Sequence, residues 1–192
     1  YTQVIWGIKD FEKRFNRYPE GMWLPETAVD LETLEVLVSL GIKFTVIAQR
    51  QAGRVKRIGE TGNWVDATDE KIDSTINYLC HLPSGQSINI FFYNGKIAQE
   101  VSFGGLLSDG EGFAKTLLSA FNDVNDHPQI VHIATDGETF GHHHRFGEMA
   151  LSYCLYHIES GNLAKITNYG EYLDKPSPTH IVEIIDNSSW SC

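Results

Sequence analysis

The nine residues Asp136-Gly-Glu-Thr-Phe-Gly-His-His-His144 follow directly on the apolar run 129–135, placing two acids and three imidazoles where a buried strand meets solvent. In barrel enzymes that junction carries the chemistry. A second acid, Glu26, closes the stretch Gly-Met-Trp-Leu-Pro-Glu over 21–26 and stands ahead of a helix. Two carboxylates on one site are the minimum apparatus for breaking a glycosidic bond. One protonates the leaving oxygen, and the other attacks the anomeric carbon or activates water. Each acid also has a bland reading. Glu26 beside a helix N-terminus gains about 0.3–1 kcal/mol from the macrodipole without doing chemistry. Asp136 is better placed, since Gly137 and Gly141 free the backbone around it and Glu138 with His142, His143 and His144 crowd polar groups that packing does not require.

The histidines open an alternative. Asp136, His142 and His144 offer oxygen and nitrogen ligands of the kind zinc takes, which would make a metal-dependent carbohydrate hydrolase or deacetylase. Consecutive histidines cannot all aim at one ion, however, and neither an HxxxH nor an HExxH spacing occurs, so the expected metal set is none. His132 shares strand parity with Asp136 and faces the same side. It is either a hydrogen-bond partner for an acid or a satisfied core histidine.

These residues need elements to position them. Val4, Ile8, Phe11 and Phe15 recur at helical spacing at the start of the chain. Thr27 with Asp30 reads as a capping box, followed by the stripe Leu31, Leu34, Leu37, Val38 and Leu40 and a stop at Gly41. A β-branched strand is expected over 42–48, delivering Gln49 and Arg50 to its far end. The polar, glycine-punctuated segment 53–85 reads as an elaborated loop or small insertion, with weak strand signals near 76–82. A strand over 88–93 ends at Asn94-Gly95, which either starts a connection or closes a hairpin. A helix over 112–121 points Phe113, Leu117, Leu118 and Phe121 inward, the strand 130–135 brings in the acid and histidine cluster, and a helix ending at Gly161 carries Phe146, Met149, Tyr153 and Tyr156 on one face. A last βα pass covers 164–185. Strand and helix patterns thus alternate, the signature of an α/β fold around a parallel sheet, and about five strands are too few to close a barrel.

Composition bounds the function. The 192 residues are 42% hydrophobic and 11% aromatic, enough for a substantial core. Fifteen basic against 25 acidic residues give a net charge of −10, which disfavours nucleic acid and anionic membrane surfaces. No apolar stretch approaches the roughly 20 residues that span a bilayer, and no signal-peptide pattern precedes the first helix. The three cysteines, Cys80, Cys154 and Cys192, form neither a CxxC pair nor a disulfide framework, which fits idle thiols in a reducing compartment. Both ends read as cut: the chain opens inside a helix and closes just after a strand, so a fragment of a longer protein is expected.

Trp23-Leu-Pro-Glu26 and Asp136-Gly-Glu-Thr-Phe-Gly141 resemble the third and fourth signature regions of glycoside hydrolase family 57, the retaining enzymes active on α-glucans. Ser188-Ser-Trp-Ser-Cys192 is similar to the start of a later signature in one subgroup. The resemblance covers nearly the entire chain and rests on the order and spacing of the motifs. It implies an incomplete (β/α)7 barrel, parallel strands with helices outside, of which residues 1–192 form part, with the first strands and the C-terminal region missing. It implies Glu26 as the nucleophile and Asp136 as the general acid/base, with Trp23, Glu138, His142, His143 and Trp190 contacting substrate; Trp6 and Trp64 are assigned to structure. The expected partner is an oligo- or polysaccharide, with no cofactor and a cytoplasmic setting. The His-Gln-Pro signature of the family's first strand is absent, and His143 replaces an aromatic found in many members two residues past Gly141. Members include amylases, glucanotransferases, branching enzymes and galactosidases. Related barrels include zinc mannosidases and deacetylases, and a catalytically inactive carbohydrate-binding barrel is a third reading. In the retaining mechanism Glu26 is ionised, Asp136 carries a proton, and their carboxyl groups stand about 5–5.5 Å apart. Residues 1–192 alone are expected to be poorly soluble or inactive, because a sheet without its first strands has an open edge.

Overall fold

The structure is a computed structural model that describes residues 1–122, 127–175 and 177–191. The chain divides into two compact units, 1–92 with 177–192 and 93–176.

The first unit opens with helix α1, Thr2–Phe15, which buries Val4 and Ile8 one turn apart and ends at Asn16 in the left-handed conformation. Phe11 stacks on Phe15 at 4.6 Å, but Phe15 and Trp6 stay exposed. The structural role expected for Trp6 is therefore not a buried one. Helix α2, Leu31–Ser39, is capped by Asp30, whose carboxylate accepts from the Thr33 backbone N–H at 2.6 Å. Thr27 is not part of that cap. Its hydroxyl is buried and bound to Gln51, so the start of the helix is held by Asp30 and by Asp186, which accepts from the Leu31 N–H at 2.9 Å. Leu34 and Leu37 are fully buried, and Gly41 at φ 76 supplies the left-handed stop.

Strands β1 (Phe44–Ala48), β2 (Ala52–Arg57), β3 (Val65–Asp66), β4 (Asn77–His81), β5 (Ser87–Tyr93) and β6 (His180–Ile184) form one open sheet in the order β1-β5-β4-β6-β2-β3. The sheet is mixed rather than wholly parallel. β4 and β6 run parallel, whereas β2 pairs antiparallel with β3 and β6, and β4 with β5. Gly21 adds a single parallel bridge beside Phe44. The antiparallel character comes from the segment 53–85, which holds most of β2 and all of β3 and β4. β3 is only two residues long and β2 carries Gly53 and three basic residues, so neither shows the alternation on which a strand reading depends. Gly53 marks a register shift between β2 and β6, where a Cβ would lie 3.1 Å from the Glu183 carbonyl oxygen. Arg54 locks the same pair with a two-pronged contact to Glu183 at 2.6 and 2.8 Å and lies over the Trp64 ring at 4.9 Å, which gives Trp64 a structural role. Ile47, Ile88, Ile90, Phe92 and Val182 fill the core on this sheet together with Leu34 and Leu37.

The second unit holds helices α3 (Gly95–Ser102), α4 (Gly110–Leu118), α5 (Gly147–Ser160) and α6 (Tyr169–Leu173). Asn94-Gly95 begins α3 rather than closing a hairpin, because the Asn94 side chain accepts from the Ile97 N–H at 3.0 Å. Phe113 of α4 packs against Ala150, Cys154 and Ile158 of α5 with Ile97 and Val101. The buried stripe of α5 is thus its small and aliphatic residues. The face expected to carry Phe146, Met149, Tyr153 and Tyr156 is instead the exposed one, at 56%, 63%, 48% and 67%. Residues 129–135 bury Ile130, His132 and Ala134 alternately but are not among the six strands. Their alternation reports burial and not ladder pairing; the Asn94 N–H donates to the His132 carbonyl at 3.0 Å. Among the described residues no helix is long and apolar enough to cross a membrane.

Candidate active site

Glu26 sits on a short 3-10 turn, Pro25–Thr27, that follows the Gly21 bridge. Both Glu26 (φ 58) and Thr27 (φ 49) adopt the left-handed conformation, which costs non-glycine residues free energy and persists only where surroundings enforce it. Gln51 enforces it. Fully buried on the short turn between β1 and β2, it accepts from the Thr27 hydroxyl at 2.9 Å and from the Ala48 N–H at 2.8 Å, and its amide nitrogen donates to the Thr27 carbonyl at 2.9 Å. The same nitrogen reaches the Ser188 hydroxyl at 3.2 Å.

The segment after β6 returns to this turn. Val29 and Ser188 exchange backbone hydrogen bonds at 2.9 and 3.1 Å, and the Trp190 N–H donates to the Glu26 carbonyl at 3.0 Å. The Trp190 indole N–H then donates to Glu26 Oε2 at 2.7 Å, and the Ser191 hydroxyl donates to the same oxygen at 2.5 Å. Hydrogen bonds from Ser191 and then Trp190 hold the Glu26 carboxyl below the usual glutamate range, since both favour the charged form. Trp23 stands edge-on to Trp190 at 5.4 Å and is 43% exposed. The sequence-predicted residues Trp23, Glu26 and Trp190 therefore meet, with Trp190 bound to the acid itself.

Asp136, Glu138, His142 and His143 occupy one compact turn of the second unit. Asp136 leads the 3-10 turn Gly137–Thr139, and Thr139 is buried beneath it. The His143 and His144 N–H groups donate to the Glu138 and Thr139 carbonyls at 2.9 and 3.1 Å, and Gly141 at φ 95 allows the reversal. Asp136, Glu138, His142 and His143 are exposed, and the two imidazoles meet edge-on at 4.9 Å. His144 turns elsewhere: its Nε2 donates to the Ser102 carbonyl at 2.7 Å. Among the described residues no three His, Cys, Asp or Glu side chains are grouped to hold a metal ion. His132 is buried and its Nδ1 pairs with the Tyr169 hydroxyl at 2.9 Å. A cavity of about 270 Å³ in this unit is lined by Leu117, Phe121, His132, Ile158, Ile166 and Tyr169, and the Asp136 turn does not line it.

Residues 2–185 match the profile of Glycosyl hydrolase family 57. The chain belongs to that family. No curated protein sequence matches it. Among solved structures, the α-amylase AmyC from Thermotoga maritima superposes with a TM-score of 0.72 at 15% identity, over 99% of this chain and 47% of that one. The GH57-type branching enzyme from Pyrococcus horikoshii gives 0.73 at 21%, over 98% and 43%. The 4-α-glucanotransferase from Thermococcus litoralis gives 0.68 at 21%, over 95% and 26%. At these identities the likeness is one of fold. The chain spans less than half the length of each of these structures, and its open α/β sheet is the part of the family-57 architecture that it covers. Sequence reasoning missed Gln51, Thr27 and Ser191 as members of the Glu26 cluster. Only the polar Gln-Arg-Gln at the end of an apolar strand hinted at the first, and no spacing rule links it to Thr27.

Proposed function

We propose that the protein carrying this chain is a retaining glycoside hydrolase or glucanotransferase acting on α-linked glucans, with Glu26 as nucleophile and Asp136 as general acid/base. The observation that carries the reading is the state of Glu26. An acid that serves only a helix end needs no strained turn, no buried glutamine behind it and no pair of donors keeping it charged. A nucleophile must be ionised and fixed before the sugar arrives, which is what these three features supply.

In the first step a lone pair of Glu26 forms a bond to the anomeric carbon while the bond to the leaving oxygen breaks and that oxygen takes the proton of Asp136. In the second, Asp136 removes a proton from the acceptor, whose oxygen displaces Glu26. Water as acceptor gives hydrolysis, and a sugar hydroxyl gives transfer. Trp23 supplies an exposed apolar face beside the acid for a pyranose ring. Glu138, His142 and His143 supply donors and acceptors beside Asp136.

The test is turnover of maltoheptaose by the protein at its full natural length. Glu26→Gln and Asp136→Asn should each lose at least about a thousandfold in kcat. A 5-fluoro-α-glucosyl fluoride should label the peptide containing Glu26, and product anomers followed by NMR should retain configuration. Near-normal turnover in either variant overturns the assignment.

A further inference from the structure

We propose that Trp190 and Ser191 are positioning residues for Glu26, fixing Oε2 of its carboxylate so that Oε1 is the oxygen that attacks. The inference rests on Glu26 being the nucleophile. Two donors converge on Oε2, at 2.7 Å from the indole nitrogen and 2.5 Å from the hydroxyl. Among the described residues no hydrogen bond reaches Oε1, so the two oxygens of one carboxylate stand in different environments. One is saturated, and the other keeps its lone pairs for the anomeric carbon.

The donors are themselves held. Trp190 is tied through its backbone N–H to the Glu26 carbonyl, and Ser188 is paired with Val29 and reached by Gln51. Arg50 donates to the Ser189 carbonyl at 3.3 Å, and the Trp190 ring is braced edge-on by Trp23. Donors on an anchored segment lose little entropy when they bind charge, which is the condition for preorganised electrostatics. Trp190 thus has a task other than the sugar stacking its type suggests.

The arrangement affects the two chemical steps differently. In the glycosyl-enzyme ester Oε1 is bonded to carbon and Oε2 becomes a neutral carbonyl oxygen, a weaker acceptor than a carboxylate. When the acceptor displaces the ester, the charge returns to the carboxylate and both hydrogen bonds strengthen. Trp190 and Ser191 therefore help Glu26 to leave as well as to stay ionised. The cause of the lowered Glu26 carboxyl, two hydrogen bonds to the anion, is the same pair.

The experiment follows kcat/KM for an aryl α-maltoside across pH in the full natural-length protein. The acid limb of that profile reports ionisation of the free enzyme's nucleophile. Ser191→Ala and Trp190→Phe should each move the acid limb to higher pH and cost about threefold or more extra at its acid end, leaving the basic limb in place. Ser191→Thr, which keeps the hydroxyl, should keep the original limb. A role confined to packing would lower activity evenly across pH. If Trp190→Phe fails to fold, Ser191→Ala carries the test, since that side chain is exposed. An unmoved acid limb in Ser191→Ala, with Glu26→Gln inactive, overturns this inference and leaves the nucleophile standing. An active Glu26→Gln overturns both.

Discussion

Gln51 illustrates what a single side chain does here. It is 1% exposed, and its amide satisfies both the Thr27 hydroxyl and the Thr27 carbonyl behind Glu26. Gln51→Leu keeps the volume but strands those groups and the Ala48 N–H, so unfolding by urea should show a loss of at least about 2 kcal/mol. An unchanged midpoint would remove Gln51 from the cluster. The sign of the pH response at Glu26 follows from its lowered carboxyl. The Trp190 and Ser191 bonds are at full strength above the ordinary glutamate range and weaken as pH falls through the lowered value, so Trp190 fluorescence should change on the acid side and not near neutrality. In Glu26→Gln that acid transition should vanish. At this level the acids were legible in the sequence, because charge beside glycine and proline at the end of an apolar run is a local signal. The donors were not, because Trp190 and Ser191 lie 164 and 165 positions from Glu26 and no local rule spans that interval.

Among the elements, helices carried clear signals. The Asp30 cap, the Leu34 and Leu37 stripe and the Gly41 stop agree with the pattern, apart from the shift of the cap from Thr27 to Asp30. Helix α5 shows why facing is harder to read than existence. Its sequence holds two stripes, one aromatic and one of small residues, and close approach to α4 selects the small one. At Gly110 a Cβ would meet the Ala150 carbonyl oxygen at 2.8 Å and Tyr153 at 2.9 Å, a measure of how near α4 and α5 run. Tyr156 stands on the exposed side of the helix, and Tyr156→Ser should shift stability by no more than about 0.5 kcal/mol in the same urea assay. Gly21 is the opposite case. A Cβ there would lie 2.2–2.7 Å from three atoms of the Phe44 ring, so Gly21→Ala should cost about 1–3 kcal/mol and disturb the turn that carries Glu26. A neutral Gly21→Ala would mean that Phe44 can swing clear. Residues 129–135 and 53–85 mark the other limit: alternation shows which residues are buried, but pairing partners come from elsewhere in the chain.

For the molecule as a whole, family membership and the α/β class were within reach of the sequence, and the mixed sheet was not. Parallel pairing holds between β4 and β6, while β2 with β3 and β6, and β4 with β5, pair antiparallel. Thiol chemistry gives a test of compactness in each unit. Burial pushes the Cys80 thiol up to about 11, with Glu183 adding to it, and burial pushes Cys154 up to about 11. Both are buried free thiols, while Cys192 lies outside the described residues. In a Cys192→Ser background, Ellman's reagent at pH 8 should react slowly with Cys80 and Cys154 in the native protein and readily with both in denaturant. Fast native reaction would place one of them at the surface.

The strand order has a bearing on biosynthesis. β6 inserts between β4 and β2, although among the described residues it comes after both and after β5 in sequence. While the ribosome is still making the preceding residues, β2 and β4 each present an unpaired edge that invites sticking to other nascent chains. The indole and hydroxyl donors to Glu26 emerge only after β6. A protein assembled in this order leaves the centre of its sheet and the tether on its acid until almost the end of this stretch is translated, so chaperone dependence should track translation of residues 180–191.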